Sequence, residues 1–524
     1  MHCACNVPEI SLPYSRSMIP DPYPVPGMIG RLTPPLDRQA QLLRQLQDLR
    51  QEVDDEALRM VQGWEQRIRR PGFRERALNL AHYIVLRRRD LRPLQDGLTL
   101  LGLSSLGRLE GRVLANLDAV IAALAAITRD PRPEPFPSPA EMFHGRDLAR
   151  LNADVAFGRR HDGRPVRLMV TLPVEVGDSP RLAEELLDSG ADLVRINCAH
   201  DAPAQWRAML DNVRRAAREA GRETRILMDL AGPKCRTGEV HVAKGRKRLH
   251  AGDEFLLLRD GFAPLAQFPV QVKCTLPSVF QDLRFGARVW LDEGRLGGVV
   301  KAVMDEGALV SVESAPPRGL RLKPDKGLNF PGTDLGVAPL TPKDLADLDF
   351  VAAEADLVGY SFVQDAADIA LLQRELEQRV GGRKAHDIGI VAKIETARAV
   401  RNLPDIIVQG AGSQPFAIMI ARGDLGVEIG FARLAEIQEE ILWLCEAAYV
   451  PVIWATGVLN GLIKEGQANR GEMTDAAMSA RAECVMLNKG PHVLEALRCL
   501  DQLFARMAEH VEKKTPRLRA LKSW

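Results

Sequence analysis

Apolar residues follow two rhythms along this chain, and the change between them divides it. From about Pro35 to Thr128 they recur three and four positions apart, as in Leu42, Leu43, Leu46 and Leu49, and again in Val113, Leu114, Leu117, Val120 and Ile121. That spacing predicts helices, and strand signals are nearly absent there. Between the two runs lie Leu78, Leu80, Ile84, Val85 and Leu86, then Arg87, Arg88 and Arg89, then Asp90-Leu91-Arg92-Pro93, where the proline should begin or end a helix. Three arginines behind an apolar helix read as a solvated end, with contact to a phosphorylated ligand as the alternative. Prolines at 131, 133, 135, 137 and 139 then predict a semi-rigid linker.

Beyond the linker, short apolar runs alternate with amphipathic stretches: Val166 to Leu172, Leu193 to Ile196, Arg225 to Met228, Leu357 to Tyr360, Ile388 to Ala392, Phe416 to Ala421, Val450 to Trp454 and Cys484 to Leu487. Such a series of parallel strands predicts an α/β protein with a closed (β/α)8 TIM barrel. An open doubly wound sheet is the alternative, but chemically interesting residues follow nearly every run instead of gathering at one switch point. Between the third and fourth runs, from about Glu239 to Lys326, glycines punctuate short strand-like segments such as Phe255 to Leu258, Ala287 to Leu291 and Ala308 to Val312. An inserted small all-β domain is expected there. The expected division is a flexible segment over 1–34, a helical domain over 35–130, a linker over 131–160, barrel over 161–237, the inserted domain over 238–327, barrel again over 328–512, and a tail over 513–524.

Composition agrees with a soluble enzyme. The 524 residues are 46% apolar with a net charge of +1, which gives ample core and no electrostatic reason to expect nucleic acid or a membrane as partner. Eight cysteines (Cys3, Cys5, Cys198, Cys235, Cys274, Cys445, Cys484 and Cys499) are scattered without the spacing of a disulfide framework or zinc site, so a reduced cytoplasm is expected. The proline-rich start has no apolar core of a signal peptide. Cys3 and Cys5 could ligate a metal, but a mobile end is the simpler reading.

The chemistry concentrates between Ile388 and Glu428. Lys393 and Glu395 stand two apart at the end of one apolar run, so a strand projects both to the same side. Arg422-Gly423-Asp424 follows directly on another, placing Asp424 where a buried strand emerges. Two acids and a lysine at strand ends suit a divalent cation together with an anionic substrate.

Lys393-Ile394-Glu395 followed roughly thirty residues later by Ala421-Arg422-Gly423-Asp424-Leu425-Gly426 resembles the paired signature of the pyruvate kinase family. Further matches fall in the family's order: Val194 to His200, Asp229 to Pro233, Arg236-Thr237-Gly238, Lys326 to Gly332, Ser361-Phe362-Val363, Ala455-Thr456 and Arg470-Gly471-Glu472. The resemblance covers roughly residues 165 to 510 and leaves the first 150 or so unexplained.

The resemblance implies Mg²⁺- or Mn²⁺-dependent phosphoryl transfer from phosphoenolpyruvate to ADP, giving pyruvate and ATP, in a homo-oligomer. Glu395 and Asp424 are then the metal ligands. Lys393 is the cation stabilising the transferring phosphoryl group and the enolate oxygen. Backbone N–H groups at Gly423 and Asp424 receive the substrate carboxylate. Arg195 and Arg236 clamp phosphates, Asn197 and His200 belong to the nucleotide region, and Thr456 orders the proton relay to the enolate carbon. The inserted β domain becomes a lid that excludes water.

Departures from the family pattern carry their own expectations. Ala199 replaces a serine, Leu230-Ala231 replace Thr-Lys, and Lys234 stands where potassium-dependent members have a glutamate. The monovalent-cation site is therefore expected to be dismantled, with the Lys234 ammonium in place of K⁺ and K⁺ not required. Met486 to Pro491 replaces a longer turn, and little chain follows the last barrel helix, so the family's C-terminal regulatory domain is expected to be absent. Two other functions stay open: a pyruvate-enolate aldolase or lyase, and a non-catalytic metabolite sensor.

Overall fold

The computed structural model describes residues 36–131, 135–160, 163–243, 248–333, 337–513 and 515–516. The expected flexible segment over 1–34, with Cys3 and Cys5, lies outside them, as does most of the tail.

Eight parallel strands close into a barrel: β1 (Arg167–Thr171), β2 (Leu193–Asn197), β3 (Arg225–Asp229), β4 (Leu357–Tyr360), β5 (Gly389–Ile394), β6 (Phe416–Ala421), β7 (Val452–Ala455) and β8 (Cys484–Leu487), with β8 pairing back onto β1. Each matches an apolar run because strands buried on both faces read as continuous hydrophobic sequence. Inward residues from every strand, among them Met169, Leu193, Leu227, Leu357, Val391, Met419, Ile453 and Met486, fill the interior. Register then decides which polar residues meet at the C-terminal rim: Asn197 lies opposite Asp229, and Thr171 opposite Arg195.

The inserted domain is a seven-stranded sheet with its own apolar core around Phe255, Leu257, Val272, Val289 and Val310. Its acidic turn, Asp292-Glu293-Gly294, has positive φ throughout (54°, 58° and 81°). Asp292 is held there by Lys326 at 3.0 Å and Arg295 at 3.0 Å.

Among the described residues five α-helices precede the barrel: α1 (Leu36–Trp64), α2 (Phe73–Arg87), α3 (Arg92–Leu100), α4 (Val113–Thr128) and α5 (Pro139–Phe157). The last corrects the expected linker over 131–160. Its prolines run only to Pro139, which sits inside a capping box formed by Ser138 and Glu141, a position where proline starts a helix. One described stretch, Glu110–Thr128, is long and apolar enough to cross a membrane. Its Val113, Leu117, Val120, Ile121 and Leu124 are buried core here.

The helical unit docks on the N-terminal end of the barrel through backbone as well as side chains. Arg69 and Arg70 N–H groups donate to the Gly412 carbonyl ahead of β6. Asn79 donates to Ala447 O and Asn152 to Tyr449 O ahead of β7. Trp64 Nε1 and Arg67 both reach Asp405, at 3.2 and 2.5 Å. Arg87 stacks over Trp443 at 4.9 Å and Arg89 pairs with Glu52 and Glu56, so of the three arginines Arg88 best fits the expected solvated end. Phe157, at the end of α5, is 1% exposed and joins the apolar cluster inside the barrel.

Candidate active site

The rim above β2, β3 and β5 holds a buried charge network centred on Asp229. Arg195 Nε donates to Asp229 Oδ2 at 2.9 Å, a second guanidinium nitrogen binds the same oxygen, and Nη1 donates to Thr171 Oγ1 at 3.1 Å. Lys393 Nζ reaches Asp229 Oδ2 at 3.3 Å, Glu395 Oε1 at 3.2 Å and Ser361 Oγ at 2.7 Å. Burial favours the neutral Asp229, but Lys393 and Arg195 outweigh it and hold its pKa below the ordinary carboxylate value. Burial likewise opposes the Lys393 ammonium, and Asp229 and Glu395 overcome it, raising that pKa. The other Asp229 oxygen, Oδ1, is buried without a hydrogen-bond partner among the described residues. It faces Gly359, where a Cβ would lie 2.5 Å away.

Glu395 and Asp424 both stand at this rim, near enough for the Asp424 charge to act on Glu395. Glu395 is 3% exposed, accepts the Phe362 N–H at 2.7 Å, and has a raised pKa, first because it is buried and then because Asp424 adds negative charge against the relief from Lys393. Asp424 stands in the first turn of helix Arg422–Ile429, where an acid is favoured by the helix dipole. Its two oxygens accept from Lys234 Nζ at 2.9 and 2.8 Å. Two carboxylates at one rim are oxygen donors that suit a hard divalent cation whose remaining positions would go to substrate oxygens and water.

Thr456 follows β7 with φ 68°, an unusual conformation for a β-branched residue that costs about 1–3 kcal/mol. Its methyl lies against Gly423, where a Cβ would come within 2.8 Å of Cγ2. Arg422 donates to Ala455 O at 3.0 Å and to Thr456 O at 2.7 Å.

A cavity of about 190 Å³ adjoins this network, lined by Thr171, Arg195, Asn197, His200, Asn488 and Lys489 among others. Of the residues expected from sequence, Arg195, Asn197 and His200 thus meet in one place, and Lys393, Glu395, Asp424 and Lys234 in another beside it. Arg236 stands apart from the cavity lining. It lies where the inserted domain joins the barrel, bridged to Gly327 and 3.3 Å from Asp325 Oδ1. Asn197 turns its side-chain oxygen to the Ala199 N–H at 3.1 Å. Sequence reasoning did not single out Asp229 as the centre of the network, nor Ser361, Lys489 or Asp475. Asp229 and Ser361 sat inside quoted motifs; Asp475 carried no signal.

Comparison with known proteins agrees with the geometry. The pyruvate kinase barrel domain family matches residues 164–491. A pyruvate kinase from Geobacillus stearothermophilus is 31% identical over 340 residues, covering 63% of this chain and 55% of that protein. One from Methylorubrum extorquens is 32% identical, covering 67% and 69%, and the human pyruvate kinase PKLR is 30% identical, covering 66% and 61%. A crystal structure of a pyruvate kinase from Cryptosporidium parvum superposes with a TM-score of 0.58 at 25% identity, over 66% of this chain and 71% of that one. The chain spans little more than half the length of the Geobacillus relative, and the family match over residues 164–491 leaves out the N-terminal helices. With the barrel, the inserted domain and the rim residues all in the family's order, the chain belongs to the pyruvate kinase family.

Proposed function

We propose that this protein transfers phosphoryl from phosphoenolpyruvate to ADP with Mg²⁺ or Mn²⁺, and does so without K⁺. The observation that carries the reading is the meeting of Lys393, Glu395 and Asp424 at one rim, next to a cavity lined by Arg195, Asn197 and His200.

Glu395 and Asp424 hold the divalent cation, which when bound neutralises charge on the phosphoryl and enolate oxygens. Lys393, kept protonated by Asp229 and Glu395, places a fixed positive charge where the phosphoryl group leaves and the enolate remains. N–H groups of Gly423 and Asp424, at the start of a helix, receive the substrate carboxylate. Arg195 offers a guanidinium already oriented by Asp229 and Thr171. Arg236, at the lid junction, joins the phosphates as the lid closes and water is excluded. Thr456 then orders proton delivery to the enolate carbon.

Potassium independence is supported by Ala199 and Leu230, which stand where potassium-dependent members carry serine and threonine, and by the ammonium of Lys234 beside Asp424. One observation favours a second reading: Lys234 engages both oxygens of a proposed metal ligand, as a binding protein without turnover would tolerate. Pyruvate formation from phosphoenolpyruvate, ADP and Mg²⁺ in potassium-free buffer decides between them. Turnover lost in Lys393→Ala supports the kinase. Tight phosphoenolpyruvate binding with no turnover, with or without K⁺, makes the chain a sensor.

A further inference from the structure

Helix Arg470–Ser479 presents Asp475 to the rim from outside the strand ends. Its carboxylate takes the Arg422 guanidinium from two sides, with Nη2 at 2.9 Å from Oδ2 and Nη1 on Oδ1. The same guanidinium donates to two successive carbonyls, Ala455 O and Thr456 O, and lies 4.7 Å over the Trp454 ring. One planar cation therefore binds the backbone on both sides of the β7 end, and its orientation is set by Asp475.

The segment it holds does not rest there by preference. Thr456 has φ 68° and Gly457 φ 86°, so two successive residues are in the left-handed region, one of them β-branched. The Thr456 methyl packs toward Gly423, and a Cβ at Gly423 would lie 2.8 Å from Cγ2 but 3.9 Å from Oγ1. The hydroxyl thus points away from Gly423, fixed by the methyl on one side and by the Arg422 bond to the Thr456 carbonyl on the other.

We infer that Asp475 is a positioning residue: through Arg422 it keeps Thr456 left-handed and its hydroxyl aimed, and so governs protonation of the enolate more than substrate binding. The inference rests on the proposed reaction. In that reaction phosphoryl transfer leaves an enolate, and a proton forms the new C–H bond as the enolate electron pair collapses onto carbon. A misaimed Thr456 slows that step while Lys393, Glu395 and Asp424, which Asp475 does not touch, still bind substrate.

The test uses the full chain with Asp475→Ala, Asp475→Asn, Thr456→Ala and the Asp475→Ala/Thr456→Ala double variant. Asp475→Ala is expected to lower kcat by about 10- to 100-fold with KM for phosphoenolpyruvate nearly unchanged. Exchange of pyruvate methyl protons in D₂O, followed by proton NMR, should slow by a similar factor, and the double variant should be no worse than Thr456→Ala. Asp475→Asn, which keeps an acceptor for Arg422, should fall between, and stands in if Asp475→Ala does not fold. Additive losses in the double variant, or a loss expressed in KM with proton exchange intact, would overturn the inference. If wild type gives no pyruvate, the proposed reaction fails. The clamp itself is then judged by the Thr456 methyl resonance, assigned by Thr456→Ser, which must shift in Asp475→Ala and overturns the clamp if it does not.

Discussion

Lys234 and Asp424, 190 positions apart in sequence, form a two-point ion pair in which one ammonium lies within 2.9 Å of both carboxylate oxygens. A cation from the loop after β3 thereby sits over the acid that opens the helix after β6. A glutamate in place of this lysine would set a third carboxylate toward Glu395 and Asp424 and leave the site short of positive charge. Lys234→Glu is expected to lose about tenfold or more of its potassium-free turnover and to recover part of it on adding KCl. A potassium titration of steady-state rates checks this; equal loss with and without K⁺ would mean that Lys234 supports the rim without substituting for the ion.

Lys393 faces Asp229 and Glu395 together, both almost fully buried. Lys393→Met preserves length and removes the charge, so two expected effects separate. Turnover drops about 10²- to 10³-fold through loss of the cation at the reacting oxygens. Stability drops by about 3–5 kcal/mol because buried acids lose their partner. Parallel kinetic and thermal-unfolding measurements check both.

Gly359→Ala tests the network from the strand beside it. The added methyl would stand 2.5 Å from Asp229 Oδ1 and 3.0 Å from Asp229 Cα, closer than atoms can approach. Asp229 must shift, and Arg195 and Lys393 with it. Lower turnover with a lower melting temperature is expected; full activity would show that the Asp229 carboxylate is not required where it lies.

The barrel and the charged rim residues that end its strands were legible for a physical reason. Doubly buried strands must be apolar, so the run before Lys393 and the run before Arg422 announced themselves, and so did the charged residues that end them. Asp229 was less legible as a hub, because its importance comes from register: lying opposite Asn197 and Gly359 puts Arg195 and Lys393 on one of its oxygens. Asp475 was illegible, since an acid in a polar helix looks like any solvated residue until Arg422 reaches it. Helix α5 was hidden by its own prolines, whose helix-starting role depends on the Ser138 and Glu141 cap.

His82, 4% exposed, donates from Nε2 to Asp54 Oδ1 at 3.0 Å between α2 and α1. Burial lowers its pKa from the ordinary value; Asp54 and Asp118 oppose that and Arg50 adds to it. The folded state therefore binds fewer protons than the unfolded state just below that value. Its stability contribution is complete above roughly pH 6.5 and is lost as pH falls through the depressed folded pKa. Melting temperature should decline on acidification across this window, and His82→Gln should flatten the decline. An unchanged slope would assign acid sensitivity elsewhere.

Phe157 fills the barrel from its N-terminal end. Phe157→Ala should cost about 3–5 kcal/mol of stability through the cavity left behind, with KM for phosphoenolpyruvate near wild type because the rim lies at the opposite end. Thermal unfolding and steady-state kinetics together check this, and a large KM change at unchanged melting temperature would contradict it.

The docking of the helices on the far end of the barrel also fixes an order of events in synthesis. Asn79 bonds to Ala447 across 368 positions, and Trp64 to Asp405 across 341. A ribosome has produced most of the barrel before these acceptors exist, so the helices wait, with their docking surface bare, while the chain between donor and acceptor is made. Closing contacts over such separations is slow, and the waiting surface is open to association with other chains. Helices made before the barrel are thus placed only after most of it exists, and a nascent chain halted before β6 carries them with nothing yet to sit on.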